Sequence, residues 1–192
     1  AYFIAIATAG FPGAVAKQIA YYNSKKEFKV SDKLFKYSLL VMLVTGMIAA
    51  SIFFFAAPAL AIQSSTDNPA AAVVVIRSLA PALLILPMMS LTRGYFQGFN
   101  NMMPFAISEI IEQVLRVLYI LGSTYLIMQV YHGSVTQAVA HSTFAAFVGA
   151  VGSVIFLIIV YIRHLPVINQ LKEVSEDKIQ IDFKQSIQMM LK

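Results

Sequence analysis

The chain contains no cysteine, so it forms no disulfide and offers no thiolate to a metal. Its histidines, His132, His141 and His164, have no ligand-type residue three or four positions on, so no metal site is expected. No Ser/His/Asp arrangement, Walker-type loop or dinucleotide-binding glycine pattern appears, and nothing argues for an enzyme. No internal repeat, low-complexity tract or heptad run is present. Charge is scarce above all. Only 12% of residues are Asp, Glu, Lys or Arg, half the roughly 25% of a soluble domain. That scarcity excludes an ordinary water-soluble fold.

Hydrophobic residues make up 59% of the sequence, and the mean hydropathy is +0.75. Residues 37–66 contain no charged side chain, and neither do residues 117–162. A bilayer-crossing helix needs roughly 20 apolar residues, and no long alternating pattern suggests a closed barrel. The expected fold is therefore all-α, a polytopic membrane bundle of five transmembrane helices over 1–22, 34–57, 69–92, 104–129 and 134–162. Residues 163–181 read as a cytoplasmic linker and 182–192 as the start of a further helix. The chain begins inside an apolar helix, without a basic n-region or cleavage site, so it does not read as a signal peptide. Both ends look cut, as in an internal fragment of a larger transporter.

The net charge of +5 gathers in short loops between apolar segments, so no nucleic-acid partner is expected. Loops 23–36 and 163–178 are rich in Lys and Arg, and Arg93 lies in the short turn between them. The alternate loops, around Asp67 and His132, carry no cation. The positive-inside rule then places Lys25, Arg93 and Lys172 in the cytoplasm and Asp67 and His132 outside. Ser31 reads as a cap for the second helix, and Pro104 as the first residue of the fourth. Gly10 and Pro12 in the first helix, and Pro81 and Pro87 in the third, read as helix breaks.

Ionisable groups at membrane depth usually face a bundle interior or a wet cavity. Glu109, Glu112, Gln113 and Arg116 share one face of the fourth helix. Glu112 and Arg116 stand four apart with the acid first, the better order for an ion pair. Two readings stand for them: the polar wall of a substrate or cation path, or a self-neutralising pair that anchors the helix. Arg77, near the outer end of the third helix, offers a fork for phosphate oxygens or snorkels to headgroups. Arg93, beside Tyr95, Phe96 and Phe99, which suit the membrane interface, and Lys17 lie toward the inner mouth, as positive-inside anchors or as ligand contacts. Gly149 and Gly152, with Ala145, Ala146, Ala150 and Ser153, form a small-residue face for close helix contact.

Four stretches together carry a resemblance. They are Thr8-Ala9-Gly10-Phe11-Pro12-Gly13-Ala14-Val15-Ala16-Lys17, Arg77-Ser78-Leu79-Ala80-Pro81-Ala82-Leu83 and Arg93-Gly94-Tyr95-Phe96-Gln97-Gly98. The fourth runs from Pro104 through Ala106, Ile107, Ser108, Ile111, Glu112 and Gln113 to Arg116. In this order they resemble the polysaccharide biosynthesis/export family, in its branch of stage V sporulation protein B and YtgP-like lipid II flippases. That branch belongs to the multidrug/oligosaccharidyl-lipid/polysaccharide (MOP) exporter superfamily. The resemblance implies a two-lobe transporter around a central cavity, of which this chain is part of the N-terminal lobe. It implies alternating access, with a lipid-linked sugar carried to the outer leaflet of a bacterial plasma membrane for cell-wall synthesis or sporulation. Partners are then that substrate, membrane lipids and the remaining helices of the same protein. No cofactor is expected, and the driving force is the membrane potential or a monovalent cation. Other family members place arginines early in the second helix, whereas residues 1–8 here have none. A cation-coupled drug exporter and an envelope-assembly scaffold stand as the competing readings.

Overall fold

In a computed structural model, residues 2–63 and 68–173 are described, with side chains from residue 13 onward. They form five helices: α1 (Tyr2–Ser24), α2 (Phe28–Gln63), α3 (Pro69–Gly98), α4 (Met103–Tyr125, continued as a π-helical turn, Leu126–Val130) and α5 (Val135–Glu173). No strand occurs among the described residues. Four of the helices, α2 to α5, are long and apolar enough to cross a bilayer. Much of their surface is large and apolar yet exposed, as at Phe55, Ile62, Ile110, Leu118 and Leu121. Such faces suit lipid rather than water.

The helices begin where side chains meet their orphan N–H groups. The Asn68 side chain accepts the Ala71 N–H at 3.1 Å ahead of Pro69. Asn101 accepts the Met103 N–H at 3.3 Å, with Pro104 in the first turn as its fixed φ favours. Ser134 and Gln137 cap each other reciprocally, at 3.1 and 3.3 Å, the capping-box arrangement. Left-handed residues follow three helices, His132 (φ 49°) after the π-helical turn and, alike in their closure, Lys26 (φ 61°) after α1 and Asn100 (φ 57°) after α3. In the latter two, the following N–H returns to the helix, Glu27 to the Tyr22 carbonyl and Asn101 to that of Phe96. This is the Schellman closure.

The helices extend further than the sequence suggested. The charged loop expected over 23–36 is a tight turn, and α2 is already helical at Phe28. Ser31 caps nothing; it is fully buried inside α2. At its other end α2 passes Pro58 and ends at Gln63. The turn expected over 93–103 shrinks to residues 99–102, because α3 continues to Gly98. The first part of the expected linker, 163–173, is the last part of α5. A 36-residue helix is about 54 Å long at 1.5 Å per residue, well beyond the ~30 Å of hydrocarbon. Charge marks where these helices leave the lipid, not where they stop. As the expected spans had it, α1 runs through Gly10 and Pro12, and α3 through Pro81 and Pro87. Asp67, the rest of the linker (174–181) and the helix start at 182–192 lie outside the described residues.

The chain separates into two compact units. The first comprises Ala1–Leu43, Pro87–Ser108 and Ile155–Lys192. Its core joins Val15 and Ile19 of α1, Leu34 and Phe35 of α2, Leu91 and Tyr95 of α3, and Ile168 of α5. Gly98 comes so close to α1 that an added Cβ would lie 3.1 Å from the Ala16 carbonyl oxygen. The second comprises Val44–Leu86 and Glu109–Val154. There Gly46 of α2 rests on α3, where a Cβ would lie 2.9 Å from the Leu84 carbonyl oxygen. Gly149 of α5 rests likewise on α4, its missing Cβ 2.7 Å from the Glu112 carbonyl oxygen. The small-residue face read from the sequence is this contact, with Ala145, Ala150 and Ser153 all buried.

Candidate functional site

In the second unit, Glu112 and Arg116 form the ion pair that their spacing suggested. The Glu112 carboxylate is 6% exposed and the Arg116 side chain 30%, so the pair sits at the edge of the packed helices. Gly149 is what lets Glu112 in: a side chain there would collide with its backbone and press on its Cγ. The Arg116 Nε is buried with no acceptor among the described residues. A buried guanidinium N–H left bare is unfavourable. The other members of the expected polar face are not gathered in. Glu109 and Gln113 are both exposed, because the α4–α5 contact takes Ile111, Glu112 and Leu115 toward Gly149 and Gly152. Further along the same two helices, Tyr119 and His141 share a hydrogen bond of 3.2 Å, and Thr124 and Ser142 one of 3.3 Å.

Arg77, in the same unit, touches no acid among the described residues. Its Nε donates to the Phe54 carbonyl at 3.4 Å, and its guanidinium lies 5.0 Å from the Phe54 ring centre. It is exposed.

In the first unit, Arg93 is half-buried and committed to α4. Its Nε donates to the Ser108 hydroxyl at 2.8 Å, which itself donates to the Phe105 carbonyl at 2.7 Å. Ser108 is fully buried, so this arginine ties the ends of two helices. Lys17 is exposed on α1. Tyr95 and Phe96 are buried among the helices, 1% and 3% exposed. Tyr95 packs against Phe35 at 4.2 Å, Phe99 at 4.9 Å and Tyr161 at 5.8 Å between ring centres. Beside them lies a cavity of about 170 Å³ lined by Phe96, Phe99, His164, Ile168 and Leu171. Its walls are mostly apolar, so it does not suit an anion.

Sequence reasoning missed one centre altogether. Asp32, taken as a loop charge, is buried in α2. Its Oδ2 accepts from Lys172 of α5 at 2.7 Å and from Lys36 at 3.0 Å. The Asp32/Lys36 spacing was visible as an i, i+4 pair. Lys172 stands 140 residues away, and no local pattern links it to Asp32. No group of three or more acidic or histidine side chains gathers among the described residues.

The paired and tethered arginines belong to a chain with strong relatives. It is 45% identical to the lipid II flippase MurJ of Bacillus subtilis (strain 168) over 163 residues, which covers 82% of this chain and 30% of that protein. It is 28% identical over 158 residues to stage V sporulation protein B of the same organism, covering 79% and 28% of the two chains. The uncharacterized membrane protein YabM of that organism is 30% identical over 122 residues, covering 64% and 22%. The chain thus spans less than a third of the length of these relatives. No solved structure matches it. The apolar spans and these relatives make it a multi-pass segment of a bacterial plasma-membrane protein. The model of the polysaccharide biosynthesis proteins matches residues 1–190, nearly the whole sequence. The chain belongs to the polysaccharide biosynthesis protein family.

Proposed function

We propose that the protein to which this chain belongs is a flippase. It moves a lipid-linked cell-wall precursor, of the lipid II class, from the inner to the outer leaflet by alternating access. The 45% identity to a lipid II flippase carries this reading. The physical task is a large anionic headgroup that must cross about 30 Å of hydrocarbon. That task asks for cations held at membrane depth in a polar lining, and for no bond to be made or broken. Transport, not catalysis, is therefore the activity. The tethered arginines fit such a lining. Arg116 is paired with Glu112 and keeps a buried donor at Nε, a donor that a phosphate oxygen suits. Arg77 holds Phe54 through Nε and is otherwise exposed. Arg93 supports the path indirectly, by tying α3 to α4. The membrane potential or a monovalent cation supplies the drive, and the remaining helices of the same protein complete the cavity.

The test uses the full-length protein in cells depleted of their own lipid II flippase. Growth should return, and the precursor should become accessible at the outer surface. A protein that inserts normally yet leaves the precursor inside refutes the flippase reading and favours a cation-coupled drug exporter or an assembly scaffold. Those two separate by drug efflux from the same cells.

A further inference from the structure

Pro58 lies inside α2. Proline has no N–H, so the carbonyl four residues earlier loses its helical donor. That carbonyl is Phe54. In hydrocarbon no water replaces the missing partner, and neighbouring groups must supply one. The group that does so here is the Arg77 guanidinium of α3, with Nε 3.4 Å from the Phe54 oxygen. The same guanidinium lies over the Phe54 ring at 5.0 Å, an attractive cation–π placement. Two contacts of different kinds thus fall on the one residue of α2 whose carbonyl the proline frees. Arg77 is exposed, so tight packing does not force it there.

We propose that Arg77 is a latch on a proline hinge. It supplies the donor that Pro58 lacks, and so holds residues 59–63, the far end of α2, in one orientation against α3. Snorkelling and phosphate binding both treat Arg77 as a charge facing away from the protein. The latch gives its Nε a task within the fold, and it stands whether or not the protein moves lipid-linked sugars.

A double-mutant cycle over Arg77→Met and Pro58→Ala tests it, in the full-length protein on a cysteine-free background in lipid nanodiscs. Nitroxide labels at Val44→Cys and Ile62→Cys flank the hinge on exposed positions, about 27 Å apart along the helix at 1.5 Å per residue. The unmutated protein should give one narrow distance distribution. Arg77→Met should broaden it and lower the thermal midpoint by a few degrees. Adding Pro58→Ala, which restores the missing N–H, should return both readouts to those of Pro58→Ala alone. Arg77→Lys, which keeps a donor, should lose less than Arg77→Met. The latch is overturned if Arg77→Met changes neither readout, or if its loss is the same with and without Pro58. Equal losses for Arg77→Lys and Arg77→Met overturn it as well.

Discussion

Glu112 shows how much one residue's surroundings decide. The carboxylate is buried because α5 presents Gly149 instead of a side chain, and Arg116 balances its charge. Removing one partner leaves a charge uncompensated, whereas removing both does not. Glu112→Gln or Arg116→Gln should each cost about 3 kcal/mol, the low end for a buried pair, since Arg116 keeps 30% of its side chain exposed. The double mutant should lose less than the worse single, as read from thermal midpoints of the full-length protein in lipid. A double mutant that loses the sum of the two singles would mean that the pair contributes nothing as a pair. Gly149→Ala should cost about 1–3 kcal/mol by overpacking, because the methyl meets backbone and not a movable side-chain end. This pair was legible in the sequence because both partners lie on one helix, where spacing fixes geometry. The Arg93–Ser108 bond was not, because it crosses a turn whose length the sequence overstated.

At the level of the element, composition located every helix but misjudged its ends. Lys29, Lys33 and Lys36 looked like loop, yet they ride on helical turns of α2. Lysine is a good helix former, and outside the hydrocarbon nothing stops the helix from continuing. What does stop α3 is one backbone geometry, the left-handed Asn100. A β-branched residue is a strained occupant of that region, and asparagine a tolerated one. Asn100→Val should therefore lower stability by roughly 1–2 kcal/mol, while Asn100→Gly should change it little; equal effects would dismiss the turn as a determinant. The prolines teach a second lesson. Pro87 removes the N–H that the Leu83 carbonyl would use, and Gly46 of α2 comes close to the Leu83 and Leu84 oxygens. A proline inside a membrane helix is survivable where a neighbour approaches closely enough to cover the gap. That neighbour belongs to another helix, so reading one helix at a time does not show it.

At the scale of the molecule, the charge asymmetry of the turns makes a statement about sidedness. An impermeant thiol reagent on intact cells should label His132→Cys, exposed after α4, and should spare Lys25→Cys until the membrane is opened. The opposite pattern would invert the orientation. Class, helix order and family were legible because they rest on long averages over the chain; Asp32 was hidden because it rests on a single meeting. That meeting also has a timetable. When Asp32 of α2 is made, its partner Lys172 is still 140 residues from being made. At about 5–20 residues per second, synthesis leaves Asp32 waiting roughly 7–28 s. Lys36, only one turn on, is on hand from the start and shares the same oxygen. It is expected to keep the acid paired until Lys172 of α5 joins it on the same oxygen.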